Sequence, residues 1–158
     1  MTTHDVMELL RGTSFAADLG PRAFEHLASL GRLEEIPAGT IVIREGIRCD
    51  SLGVVISGRI ALRLAVPGSP DRTILTVNDG DLFGWSAVLP RPVATSTGVA
   101  VVPTTAVTFE GEALRAGLAA DCELASALYL RLIVGVSRRL SATRVQLLDL
   151  YRAGASPW

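Results

Sequence analysis

Lysine is absent from this sequence: all fifteen basic residues are arginine, set against sixteen acidic ones for a formal charge of −1. The chain therefore lacks the basic excess that gives nucleic-acid binders their sequence-independent affinity for phosphate backbones. Histidine is nearly as scarce. His4 and His26 both lie in the N-terminal part, which leaves none for a Ser-His-Asp or Cys-His constellation on later strands. Cys49 and Cys122 are far apart with no metal-ligand spacing around them, so they read as free thiols. With neither a glycine-rich phosphate loop nor a metal cluster in view, enzymatic chemistry is not expected. No stretch reaches the roughly 18 uninterrupted apolar residues of a membrane span. The first ten residues carry Asp5 and Glu8 and lack the basic flank and sustained apolar stretch of a signal peptide. A cytoplasmic protein without cofactor, metal or membrane contact is the expectation.

What is present suits one domain. Hydrophobic residues make up 49% of the 158 positions and charged ones 20%, enough to bury a core and keep a wet surface. Residues 5–31 read as short helices, with Val6, Leu9 and Leu10 on one face and Pro21 at a helix start, where a missing N–H costs nothing. Over 32–109 the texture changes to short β-branched runs (Thr40–Ile43, Gly53–Ile56, Ile60–Val66, Arg72–Val77) punctuated by Gly, Pro, Asn and Asp. Such spacing predicts an antiparallel β-barrel or jelly roll. Helix returns over 111–152, with Glu110 and Glu112 suited to a first turn and a long helix from about Asp121 to Tyr151. In that helix Ile133, Val136, Leu140, Thr143, Leu147 and Leu150 alternate spacings of three and four, a seam for a two-stranded coiled coil and hence a homodimer. Leu128, Leu132, Val145 and Leu148 lie off the seam, so the helix serves both its own barrel and a partner copy.

The strand-and-turn sequences carry a resemblance. Ile36-Pro37-Ala38-Gly39, the β run ending in Glu45-Gly46, and Ile56-Ser57-Gly58-Arg59-Ile60 resemble the first strands and turns of cyclic-nucleotide-binding domains; Gly80-Asp81-Leu82-Phe83-Gly84 resembles the strand leading into that family's phosphate-binding cassette. The likeness spans Leu9 to Tyr151. It implies a mainly β sensor domain with flanking helices, closed by a long C-terminal dimerisation helix, and a cyclic nucleotide as the possible ligand.

The same resemblance points to a site and to departures within it. The residues it would place around a ligand are Gly84, Trp85, Ser86, Arg91, Val93, Ala94, Thr95, Arg139 and Thr143. Where family members that bind cyclic AMP carry a Glu for the ribose hydroxyl, this chain has Trp85, which cannot accept that hydrogen bond. The cassette is also short: aligned on Ala94 without a gap, the phosphate arginine becomes Pro92, while one inserted residue lets Arg91 take that role. Pro90 and Pro92 remove backbone donors from the loop. Against these losses, Arg138-Arg139-Leu140-Ser141-Ala142-Thr143 resembles the Arg-Arg-Leu-x-x-Thr of the family's catabolite activators, where the Thr reaches the base. The expected function is a small-molecule-sensing regulatory domain with an altered cassette. The chain offers no room for a helix-turn-helix, so its output would pass to a partner protein without direct DNA contact. The alternative is a degenerate, ligand-free dimeric adaptor.

Overall fold

The computed structural model describes residues 2–17, 19–66 and 68–154, with side chains described for all of these except 66, 69, 146, 147 and 149–154. Two short helices open it. In α1 (Thr3–Arg11) the Asp5 amide donates to Thr2 Oγ1 and the Thr2 amide donates to Asp5 Oδ2, a reciprocal cap that satisfies two orphan donors. In α2 (Pro21–Ser29) Pro21 takes the first helical position, as its missing N–H allows.

Eight strands follow: β1 (Gly31–Ile36), β2 (Ile41–Ile43), β3 (Ser51–Ser57), β4 (Ile60–Val66), β5 (Ser69–Val77), β6 (Leu82–Phe83), β7 (Thr97–Ala100) and β8 (Thr104–Glu110). They form two antiparallel four-stranded sheets in the orders β1-β8-β3-β6 and β2-β7-β4-β5, a jelly-roll arrangement. The sheets face each other and do not close into a barrel. The strands at their edges include a two-residue β6 and a three-residue β2, too short to carry pairing around a corner. The hairpin turns contain Gly39, Gly46 and Gly58 with φ of 86°, 74° and 117°, as the turn chemistry requires.

Side-chain alternation divides the core in two. Val55, Ala106 and Phe83 of the first sheet meet Ile60, Leu62, Val77 and Ala100 of the second. On the opposite face, Leu52, Val54, Val107 and Phe109 pack against Val6, Leu10, Phe24 and Leu27 of the N-terminal helices and Leu124 and Leu128 of the last one. The central strands are thus buried on both faces, which is why β3 reads as an almost unbroken apolar run and not as an alternation. Gly53 has a steric reason: it lies opposite Phe83, and a Cβ there would stand 2.1 Å from the ring.

Two helices close the chain, α3 (Gly111–Ala120) and α4 (Cys122–Gly154). Glu110 caps α3, accepting from the amides of Ala113 (2.7 Å) and Glu112 (3.0 Å), and these bonds hold its carboxyl below the usual range. The long helix begins one residue later than the sequence pattern suggests because Asp121 is its cap. Asp121 Oδ1 accepts from the Leu124 amide (3.0 Å), while Oδ2 lies 2.8 Å from His26 Nδ1. One carboxylate thereby starts α4 and ties it to α2. Among the described residues no helix is long and apolar enough to cross a membrane.

The hydrogen bond from His26, then that from Leu124, lowers the Asp121 pKa. Its stabilisation is therefore fully present above the ordinary carboxylate value near 3.8 and is lost as pH falls through the lower, folded value. Thermal unfolding of Asp121→Asn should show a reduced Tm at pH 7 and a gap to the native protein that narrows toward pH 2.5. A gap of constant size would mean that the charge contributes nothing.

Candidate functional site

The site is built where β6 ends. Gly84 adopts the left-handed conformation, φ 72°, and a Cβ there would stand 2.2 Å from the Ser51 carbonyl oxygen. Only glycine makes that approach. The chain turns into a single 3₁₀ turn, Trp85–Val88, whose Ser86, Ala87 and Val88 are buried. The Arg115 guanidinium of α3 donates to the Ala87 carbonyl and anchors the turn from behind. Beneath it, the Cys49 sulfur lies 3.5 Å from the carbonyl oxygens of Ser51 and Gly84, and burial pushes its thiol pKa up.

The loop after the turn folds back on residues 46–49. Cys49 donates its amide to the Pro92 carbonyl (2.6 Å), Ala94 to Ile47 (2.9 Å) and Gly46 to Ala94 (2.9 Å). The Ala94 amide is spent on this pairing, and Pro90 and Pro92 have none to offer.

α4 crosses this assembly through one side chain. The Arg139 guanidinium carbon sits 4.0 Å from the Trp85 ring centroid, and Nη2 donates to the Leu82 carbonyl. Among the described residues, Nη1 is the buried side-chain nitrogen or oxygen without a hydrogen-bond partner. Burial pulls the Arg139 pKa down to about 10, with the Asp81 carboxylate acting in the opposite sense. A desolvated cation–π contact contributes about 2 kcal/mol and a hydrogen bond from a charged donor about 1.5–3 kcal/mol. An unmade bond on a buried polar group costs about 1–3 kcal/mol. Withdrawing the guanidinium from water costs several kcal/mol more, so the contact is near balance in stability while fixing where α4 lies.

Gly84, Trp85, Ser86, Ala94, Thr95 and Arg139, six of the residues singled out from the sequence, line one shared cavity. Its volume is only about 10 Å³, close to the space of a single water and far below the 300 Å³ or more of a small-molecule site. Arg91 and Val93 are exposed and are not among the residues that line it. Thr143 is exposed as well, and its hydroxyl donates to the Arg139 carbonyl (2.9 Å), one turn back along its own helix. Leu82, Asp81 and Cys49 take roles here that their sequence context does not signal. A backbone carbonyl has no sequence signature, and Asp81 sits in a turn where it also accepts from the Asn78 amide, an ordinary turn role that hides its position beside Arg139.

This jelly roll, with a cassette between β6 and β7 and a long helix lying across it, is the architecture of a ligand-sensing regulatory domain. Residues 33–121 match the family model of the cyclic nucleotide-binding domain, and the chain belongs to that family. It is 27% identical, over 90% of its length, to the CRP-like cAMP-activated global transcriptional regulator of Mycobacterium tuberculosis, of which it spans 62%. It is also 27% identical over 75% of its length to a Drosophila melanogaster cGMP-dependent protein kinase, spanning 16% of that protein. Among solved structures, a protein from Geobacter metallireducens described as cyclic nucleotide-binding superposes with a TM-score of 0.73 at 25% identity, covering 84% of this chain and 96% of its own.

Because attraction and desolvation nearly cancel at Arg139, Arg139→Met, which keeps an apolar stem over Trp85, should unfold within about 1 kcal/mol of the native protein. Denaturant titration measures it. A loss above about 3 kcal/mol would show that the charge, and not the stem, supports the cassette.

Proposed function

We propose that this chain is a non-enzymatic, cytoplasmic regulatory domain that responds to a small molecule other than a cyclic nucleotide and passes its state to a partner protein through a dimer of α4. The observation that carries the reading is the Trp85–Arg139 stack, with only about 10 Å³ of space between it and the β6–β7 cassette residues Ala94 and Thr95. A ligand shifts a two-state element only by binding one state better than the other. Here the tie between cassette and α4 is made by the protein's own side chains, and a cyclic nucleotide would have to displace an indole and a guanidinium to make the same link. Trp85 offers no acceptor to a ribose hydroxyl, and Arg91 stands in solvent away from the cavity. The same lack of space supports a second reading, a ligand-free dimeric adaptor. The two part on whether any small molecule alters the position of α4.

Calorimetric titration with cyclic AMP and with cyclic GMP should give no saturable heat up to about 100 μM ligand. A Kd near about 1 μM for either, equivalent to roughly −8 kcal/mol, would overturn the reading.

The dimer rests on α4, whose inward face buries Leu124, Leu128 and Leu132 while Ile133 (61%), Val136 (44%) and Leu140 (51%) are exposed. Leu147 and Leu150, the remaining apolar seam positions, have side chains outside the described residues. Buried charge without a partner is costly, so Ile133→Asp combined with Leu140→Asp should sediment as a monomer while the native chain sediments as a dimer. Identical sedimentation of the two would remove α4 as the interface.

A further inference from the structure

A larger cavity lies beside the small one. A groove of about 330 Å³ runs between α4 and the Gly80-Asp81-Leu82 turn, within the size range of small-molecule sites. Along its α4 wall Arg131, Gly135, Arg138 and Ala142 recur at four- and three-residue steps with Arg139 beside them, and the exposed Val134 and the seam residue Val136 flank that stripe. Its apolar surface includes Phe15, Leu75 and Leu132, of which Phe15 and Leu132 are almost fully buried. Three arginines and one carboxylate, Asp81, line it. Arg139 is half-buried, its Nη2 is spent on the Leu82 carbonyl and its unpartnered Nη1 is itself out of solvent, so its charge acts on the groove through space, beside the exposed guanidinium of Arg138.

Gly135 is the informative position. Glycine inside a helix is unfavourable relative to alanine, and here no packing requires it: a Cβ would meet nothing within 4 Å. Its effect is to keep the groove open along the cationic stripe. A wall of this kind suits a ligand with both a charged end and a fatty or flat body.

We propose that this groove binds a small amphipathic anion, a carboxylate or phosphate on an apolar body, with its headgroup at Arg138 and Arg139 and its body against the apolar wall beside Gly135. This goes beyond the reading above by naming a site and a ligand class. Such a ligand would touch α4 and the turn leading into β6 together, bridging the two elements that the Trp85–Arg139 stack already joins.

The test uses the full chain and two probes, octanoate and phenyl phosphate, titrated by calorimetry beside inorganic phosphate. At least one probe should bind with Kd of about 1 mM or tighter, and whichever binds more tightly assigns the headgroup. Inorganic phosphate, lacking the body, should bind at least about tenfold more weakly. Gly135→Leu, which fills the groove and raises helix propensity, should weaken the better probe at least about tenfold. Arg138→Gln, an exposed change with no structural burden, should weaken it by a similar factor, about 1.4 kcal/mol per tenfold. Failure of both probes at about 10 mM would overturn the proposal, as would an affinity left unchanged by both substitutions. If neither probe binds and Gly135→Leu alters sedimentation, the groove belongs to a second copy of the chain. Cyclic AMP binding equally well to the native protein and Gly135→Leu would break the previous reading alone, since the groove would not be its site.

Discussion

Burying one sheet on both faces is the constraint from which the remaining geometry follows. Leu52, Val54, Val107 and Phe109 commit β3 and β8 to the helices, while Val55 and Ala106 between them commit the same strands to the second sheet. Every helix must then lie on the outer face of that one sheet. The short β6 is held at its edge by Phe83, whose ring fills the space over Gly53. With Phe83 pinned and Gly84 forced into the left-handed region, Trp85 emerges on the side where α4 passes. The cassette is placed by packing decided on the neighbouring strand.

At that meeting point a cation has been drawn out of water for modest return. Arg139 has an aromatic face and one carbonyl as partners, and one of its nitrogens is left without any. Such an arrangement contributes little to stability yet fixes position, because the guanidinium satisfies its contacts in one location only. A helix held at this point by a contact of small net worth can be shifted by a ligand of modest affinity. The groove along the same helix is where leverage of that kind would be applied.

Much of this was legible in the chain itself. The runs Ile60–Val66 and Arg72–Val77 fall within β4 and β5, the turn glycines have the positive φ that their positions imply, and the long helix lies where its periodicity places it. β7 and β8 are harder to separate, since their turn, Val101-Val102-Pro103, contains no glycine or asparagine and looks like more strand. Closure into a barrel was expected from the number of strands, but closure depends on strand length at the edges, which composition does not encode. Gly84, Trp85, Ser86, Ala94 and Thr95 share one cavity because they lie close together along the β6–β7 connection, while Arg139 reaches the same cavity from α4. Asp121 and His26, 95 positions apart, meet only through the packing of α2 on α4. No pattern within a short window could reveal that pair.

The two thiols occupy opposite chemical situations. Cys49 lies buried under the cassette with its proton held more tightly than usual, whereas Cys122, the first residue of α4, is exposed. Thiol reagents act on the thiolate and need access to it, so an electrophilic dye discriminates between the two without any engineering. The molecule thus comes with a single natural attachment point at the base of its longest helix. From there, a fluorophore or spin label can report changes at the junction where α3 hands over to α4.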